Sequence, residues 1–227
     1  MKPKPSKKDI FIFILMGCTA VLISVAGIYH RQSFLLILPL YVSLVIGMLQ
    51  SRVNRFANLL GGINSLLYGA VYIHYTLYGS ALSAILFSCP IQLITFIRWN
   101  KNKQGHSTLL RKMNLRQRVL LVLGLAVSMV AAWIVLTLVG SDYVFLDSVT
   151  TLLGIFIYFL TMFAFIEYTL FMVINCTITV ILYITMLRDT PEMLTHLIYS
   201  VYSLICIIFS VFEARKIYRN QQQNKSI

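Results

Sequence analysis

Charge is scarce in this chain, and acidic charge scarcest: seven Asp and Glu stand against 19 Lys and Arg among 227 residues. Only 11% of residues are charged and 59% are hydrophobic, where a water-soluble domain of this size carries roughly 25% charged residues. That excludes a soluble domain and makes lipid the solvent for most of the surface. The four cysteines (Cys18, Cys89, Cys176, Cys206) all fall inside apolar runs without metal-ligand spacing, so they read as packing residues rather than disulfides or ligands. There is no phosphate-binding loop and no HExxH zinc signature. No cofactor is implied. Ionisable residues avoid the middles of the apolar runs: Asp147, His74, His196 and Asp189 fall near one boundary and Glu167 near the other. An intramembrane enzyme, or a carrier driven by protons or sodium, would need such a group at mid-span.

What the chain has in abundance is long apolar runs separated by short polar breaks. They predict an all-α integral membrane protein with eight spanning helices near 10–29, 34–50, 56–78, 80–99, 118–140, 145–164, 167–187 and 192–213. The first run has about 20 residues, enough to cross roughly 30 Å of hydrocarbon. It follows the basic start "MKPKPSKKD" and ends in "AGIYHRQ", which offers no small-residue cleavage site, so it reads as a retained helix. With an even number of spans both termini share one side. That side collects 17 of the 19 Lys and Arg and the opposite side only Arg31 and Arg188, so both termini are expected in the cytoplasm. Membrane topology thus accounts for the net charge of +12, and nucleic acid is not an expected partner. The piece "STLLRKMNLRQR" (107–118) reads as either an interfacial helix or a solvated linker.

The chain also resembles itself. "NSLLYGAVY" (64–72) and "NCTITVILY" (175–183) both place Asn eight residues before Tyr, and "FIRWNKNK" (96–103) pairs with "FSVFEARK" (209–216) as two aromatics followed by a basic helix end. The helices of 34–99 and of 145–216 then form two triplets running the same way across the membrane, joined by one linking helix within 100–144. Residues 1–33 are a basic N-terminus with a leading helix, and 217–227 a cytoplasmic tail. Parallel repeats of this kind place solute sites where they meet.

Polar side chains in hydrocarbon must pair or face a cavity. Asn64, Gln92 and Asn175 are the candidates to line such a cavity; interhelical hydrogen bonding is the competing role for each. Pro90 in "PIQLITFIRWNKN" (90–102) frees a backbone carbonyl one turn earlier, which places Gln92 to line the same space. Aromatic candidates are Tyr68, Tyr72, Phe96, Trp99, Tyr168, Phe171, Tyr183, Tyr199, Tyr202 and Phe212. Tyr168 and Phe171 lie three apart with Asn175 a turn further on, an arrangement that suits a flat ring bearing hydrogen-bonding groups. Trp99 reads as an interface anchor.

The stretches "NRFANLLGGINSLLYGAVY" and "LYGSALSAILFSCPIQLITFIRWNKN", with "EYTLFMVIN", "ILYITMLRD" and "YSVYSLICIIFSVFEARK" in the second half, resemble the PnuC family of bacterial vitamin transporters, most closely its nicotinamide riboside members. The resemblance covers about residues 34–216. It implies a three-one-three core like that of SWEET sugar carriers with an extra leading helix, a homotrimer in the bacterial cytoplasmic membrane, and no enzymatic activity. It further implies facilitated diffusion of an unphosphorylated vitamin, which a cytoplasmic kinase traps. The substrate pocket is then expected to include Asn64, Gln92, Tyr168, Phe171, Asn175 and Tyr202. Nicotinamide riboside carriers usually have Trp-x-x-Trp where this chain has Tyr168-Thr169-Leu170-Phe171. Thiamine or a nucleoside is therefore the alternative solute, and a vitamin-binding subunit of an ATP-driven importer the alternative class.

Overall fold

A computed structural model describes residues 7–140 and 143–224. Lys2, Lys4 and Lys225 of the charge argument, and part of the 140–144 break, lie outside these residues. The helices are α1 (Lys7–Tyr29), α2 (Phe34–Gln50), α3 (Phe56–His74), α4 (Tyr78–Ser83), α5 (Cys89–Lys101), α6 (Leu115–Val139), α7 (Val144–Met162), α8 (Tyr168–Met186) and α9 (Leu194–Gln223). One π-helical turn, Ala84–Ser88, joins α4 to α5, so the two form one broken span. Among the described residues seven spans are long and apolar enough to cross a membrane, and the 17-residue α2 is a shorter apolar helix beside them. The chain is a multi-pass membrane protein.

The helix boundaries have local causes. Asn114 accepts a hydrogen bond from the Gln117 backbone while the Gln117 side chain returns to the Asn114 amide, a capping box that starts α6, and Gly140 stops it in the left-handed conformation at φ 77°. Arg31, Val53, Thr76 and Ala164 also hold positive φ, each just past the end of a helix. Val53 and Ala164 end α2 and α7 with the same sequence offset that separates Asn64 from Asn175. Helices α2, α3 and α4 begin at 34, 56 and 78, against 144 for α7, 168 for α8 and 191 for the short 3-10 turn that leads into α9.

The two triplets pack reciprocally: α2 lies against α9, and α5 against α7. The leading helix α1 straddles the first of these seams, its Ile12 and Ile23 burying against Ile37, Leu40 and Leu44 of α2 and Tyr202 and Cys206 of α9. Lys8 reaches the Ser51 carbonyl at 2.9 Å and Glu213 at 3.3 Å, and Asp9 pairs with Arg52 at 3.0 Å. Helix α6 stands outside the core against α7 and faces lipid along nearly all its length.

Segment 107–118 is neither of the forms expected of it. Lys103–Gln104 and Ser107–Thr108 make a two-stranded hairpin, and the chain then runs extended beside the α7–α8 turn, Arg111 exchanging backbone hydrogen bonds with Ala164 and Ile166. Helix α9 continues to Gln223 rather than stopping near 213, because Gln221 is buried against this loop: it accepts from Leu110 N and donates to Thr108 O. Trp99 is not an interface anchor. It is 2% exposed, and its Nε1 donates to Thr161 O at 2.9 Å, closing α5 onto α7.

At the end opposite the basic one, Asp147 is fully buried at the start of α7. Its carboxylate accepts from the Gly79 and Ser80 amides at 3.0 and 3.1 Å and from the Ser80 hydroxyl at 2.5 Å. An anion on the free amides of a helix start is favourable through both hydrogen bonding and the helix dipole. Here it locks α4 of one triplet to α7 of the other. Replacing Asp147 with Asn, which keeps the shape but loses the charge, is expected to lower stability by about 2 kcal/mol. An unchanged thermal melting curve of the purified protein in detergent would contradict this.

Candidate functional site

Between the triplets lies a cavity of about 230 Å³. Its α3 wall is a helical stripe, Gly61, Asn64, Ser65, Tyr68 and Tyr72, and its α8 wall another, Met172, Asn175, Cys176, Thr179 and Tyr183. Helix α7 contributes Tyr158, and α9 contributes Tyr199, Ser200 and Ser203. A smaller cavity of about 40 Å³ continues towards the basic end past Gln92, Asn58 and Trp99, and one of about 100 Å³ continues the opposite way to Ser80 and Thr151, under Asp147. Among the described residues Tyr158 alone borders all three. The row of cavities follows the helix axes.

The break in the fourth span sets the wall of this space. Pro90 has no N–H to give the carbonyl four residues earlier, and the helix widens just before it, so that Cys89 N donates five residues back to Ala84 O. Ser88 and Gln92, one turn apart across the break, then face inward together. Gln92 Nε2 donates to Ser88 Oγ at 2.6 Å and to Ser65 Oγ at 3.3 Å, and the two hydroxyls meet at 2.5 Å. Gly61 and Gly62 admit this arrangement: a Cβ on Gly61 would overlap the Gln92 amide, and one on Gly62 would press on Leu93 and on the Cys89 carbonyl oxygen.

Asn64 is 2% exposed; its Nδ2 donates to Pro39 O at 3.1 Å and to Ser43 Oγ at 2.8 Å. Its Oδ1 is buried and accepts from no protein group, and the same is true of Asn175 Oδ1. A buried carbonyl without a donor is unusual. Two of them in one cavity leave a pair of acceptors that no protein group occupies. Ser43 passes the chain on to the Tyr68 hydroxyl at 3.2 Å, and Tyr68 stacks on Tyr72 with ring centroids 5.4 Å apart. The lining sets aromatic, amide and hydroxyl groups among aliphatic side chains such as Ile46, Ile157 and Ile207; among the described residues no Lys, Arg, Asp or Glu borders any of the three cavities.

Of the six residues expected here, Asn64, Gln92 and Asn175 line the central cavity together. Tyr168 lines the smaller cavity at the basic end, edge-on to Trp99 at 6.3 Å. Phe171 falls on the neighbouring face of α8 and packs into the core around Trp99 and Ala214. Tyr202 turns away from the cavity: it is 1% exposed, its ring covers Gly47, and its hydroxyl donates to Leu44 O at 2.8 Å. Tyr68, Tyr72, Tyr183 and Tyr199 belonged to the wider aromatic set. Tyr158 and the serines did not, although Ser88 stands one turn before Gln92.

A bundle of spanning helices around an uncharged polar cavity is the architecture of a solute carrier. The chain belongs to the family described as nicotinamide mononucleotide transporter, whose model matches residues 33–212, in accord with the PnuC resemblance of the sequence. The crystal structure of the vitamin B3 transporter PnuC shares the fold, with a TM-score of 0.81 and 19% identity over 95% of this chain and 93% of that one. A comparison with curated proteins finds no match. Family and structural neighbour are transporters, and the protein is a transporter rather than an enzyme.

Gly61→Ala isolates the role of Gln92, because the added methyl meets a mobile side chain and not backbone. The expected result is a melting temperature close to that of the parent with solute affinity about tenfold weaker. Undiminished affinity would show that Gln92 does not need its present position.

Proposed function

We propose that the protein carries an unphosphorylated, positively charged vitamin nucleoside, nicotinamide riboside, down its gradient into the bacterial cytoplasm. The observation that carries this reading is the uncharged cavity walled by five tyrosines, Tyr68, Tyr72, Tyr158, Tyr183 and Tyr199, with the Asn64 and Asn175 carbonyls unpartnered. A pyridinium ring gains about 0.5–2 kcal/mol against a suitably placed aromatic face. Its carboxamide and ribose hydroxyls supply the donors that Asn64 Oδ1 and Asn175 Oδ1 lack, and Gln92 and the serines answer its acceptors. A mononucleotide would bring a phosphate into a low-dielectric site without a single cation along the lining, which is prohibitively costly. The missing carboxylates argue in the same way against coupling to protons or sodium.

The excess of Lys and Arg at one end supports an orientation with that end, and both termini, in the cytoplasm of a bacterial inner membrane. The matching helix starts, the paired left-handed residues Val53 and Ala164 and the reciprocal packing of α2 on α9 and α5 on α7 support two parallel three-helix repeats like those of SWEET carriers. A homotrimer and a cytoplasmic kinase that traps the entering riboside complete the reading.

Liposomes containing only this protein test it. Labelled nicotinamide riboside should enter saturably without ATP or an ion gradient, while nicotinamide mononucleotide and thiamine stay outside. Gln92→Leu and Asn175→Leu should each slow uptake by about tenfold or more while leaving the melting temperature near that of the parent. Uptake of the mononucleotide at the riboside's rate would overturn the assignment, and uptake of thiamine alone would redirect it.

A further inference from the structure

At the end opposite the basic one, two contacts flank the central cavity, and they differ in kind. Towards α4 and α7 stands the Asp147 joint, where a carboxylate binds two backbone amides and a hydroxyl. Parting that joint would strand a buried charge and the start of a helix, so it is a fixed junction. Towards α3, α8 and α9 stands His196, one turn before the lining residue Ser200. His196 is 1% exposed, and neither Nδ1 nor Nε2 has a protein hydrogen-bond partner. Three tyrosine rings pack against it: Tyr68 edge-on at 6.4 Å, Tyr75 edge-on at 5.7 Å and Tyr183 tilted at 5.6 Å between centroids. Tyr68 and Tyr183 are themselves cavity walls.

Above this plug sits a thin polar lid. Gln32, between α1 and α2, donates to Glu192 O at 2.8 Å and to the Tyr75 hydroxyl at 3.3 Å, and Tyr75 donates to Glu192 Oε2 at 3.5 Å. Burial pushes the Tyr75 phenol up to about 12, so it stays a neutral donor. Two of the three bonds are long, and Gln32 Oε1 is buried without a partner. The lid is weakly held.

We propose that His196 is the moving element of the gate at this end, and that its imidazole nitrogens are hydrogen-bond partners for the hydroxyl or carboxamide groups of the entering solute. This rests on the transport reading above. A buried imidazole with neither nitrogen paired destabilises the closed arrangement. Opening between α3, α8 and α9 breaks no hydrogen bond of His196 and gives both nitrogens partners. The residue therefore biases the gate towards opening, and a polar solute finds its first specific contact there.

His196→Phe keeps a ring against the three tyrosines and removes both nitrogens. It should raise the melting temperature, slow backbone hydrogen exchange over residues 192–200, and slow riboside uptake about tenfold, while equilibrium binding to the detergent-solubilised protein stays within about twofold of the parent. Tyr75→Phe, which loosens the lid, should move exchange over 192–200 the other way, and it decides the matter if the first variant does not fold. Unchanged exchange and uptake in His196→Phe, or unchanged exchange in Tyr75→Phe, would make the imidazole ordinary packing and overturn the proposal. Loss of binding alongside uptake would also overturn it, by placing His196 in the central site. If exchange shifts as expected but the parent carries none of the offered solutes, the gate stands and the assigned solute falls.

Discussion

Hydrocarbon offers a polar group no partner, and in this protein that constraint decides where each amide, hydroxyl and carboxylate goes. The lipid-facing helix α6 carries almost nothing polar in its middle, and Thr137 near its C-terminal end satisfies its own hydroxyl by donating back to Trp133 O. The stripes on α3 and α8 do the reverse: asparagines, serines and tyrosines gather on one face of each helix and meet across the axis of the bundle. Most of these groups find one another. The few that do not, the carbonyls of Asn64 and Asn175 and the imidazole of His196, all border or approach the same space. Inside the bundle, the cavity thus keeps unsatisfied acceptors; the other buried atoms without a partner, on Gln32, Arg52, Arg55 and Ser107, lie towards its two ends.

The same constraint explains how the walls are fixed. Charged groups are used at the two ends, as joints: Asp147 caps a helix start across the seam between triplets, and Glu167 receives Met113 N and Arg118 at the other end. The exposed pair contributes little by itself, but the buried Asp147 joint holds α4 against α7 where the fourth span begins. Pro90 and the π turn before it then set the rotation of α5, which aims Ser88 and Gln92 inward. A helix breaker inside an apolar run is in this way a device for facing an amide to the cavity.

Much of this was legible in the sequence, for identifiable reasons. Spans follow from apolar length, so the order of the helices was readable without coordinates. Asn64, Gln92 and Asn175 stood out because an amide at that depth has few uses. Aromatics gave less. Tyr168, Phe171 and Tyr202 sit in spans as Tyr68 and Tyr183 do, and only the helix rotation separates a wall of the cavity from a plug in the core. Serines and threonines were silent, since a hydroxyl in a helix can bond its own backbone one turn back, as Thr95 and Thr161 do. Trp99 was misread because a tryptophan near a basic helix end looks alike whether it meets lipid or a neighbouring helix. The length of α9 depends on Gln221 meeting a loop 111 residues earlier in the chain, which no local pattern announces.

The function of the bundle turns on what occupies the space between the triplets. A structure of the protein determined with nicotinamide riboside bound is the most direct measurement. The pyridinium ring should lie among Tyr68, Tyr158 and Tyr199, with the carboxamide or ribose donating to Asn64 Oδ1 and Asn175 Oδ1. A riboside seated instead beside Trp99 and Tyr168, with the central cavity holding no part of it, would contradict the site and the reading of the fold built upon it.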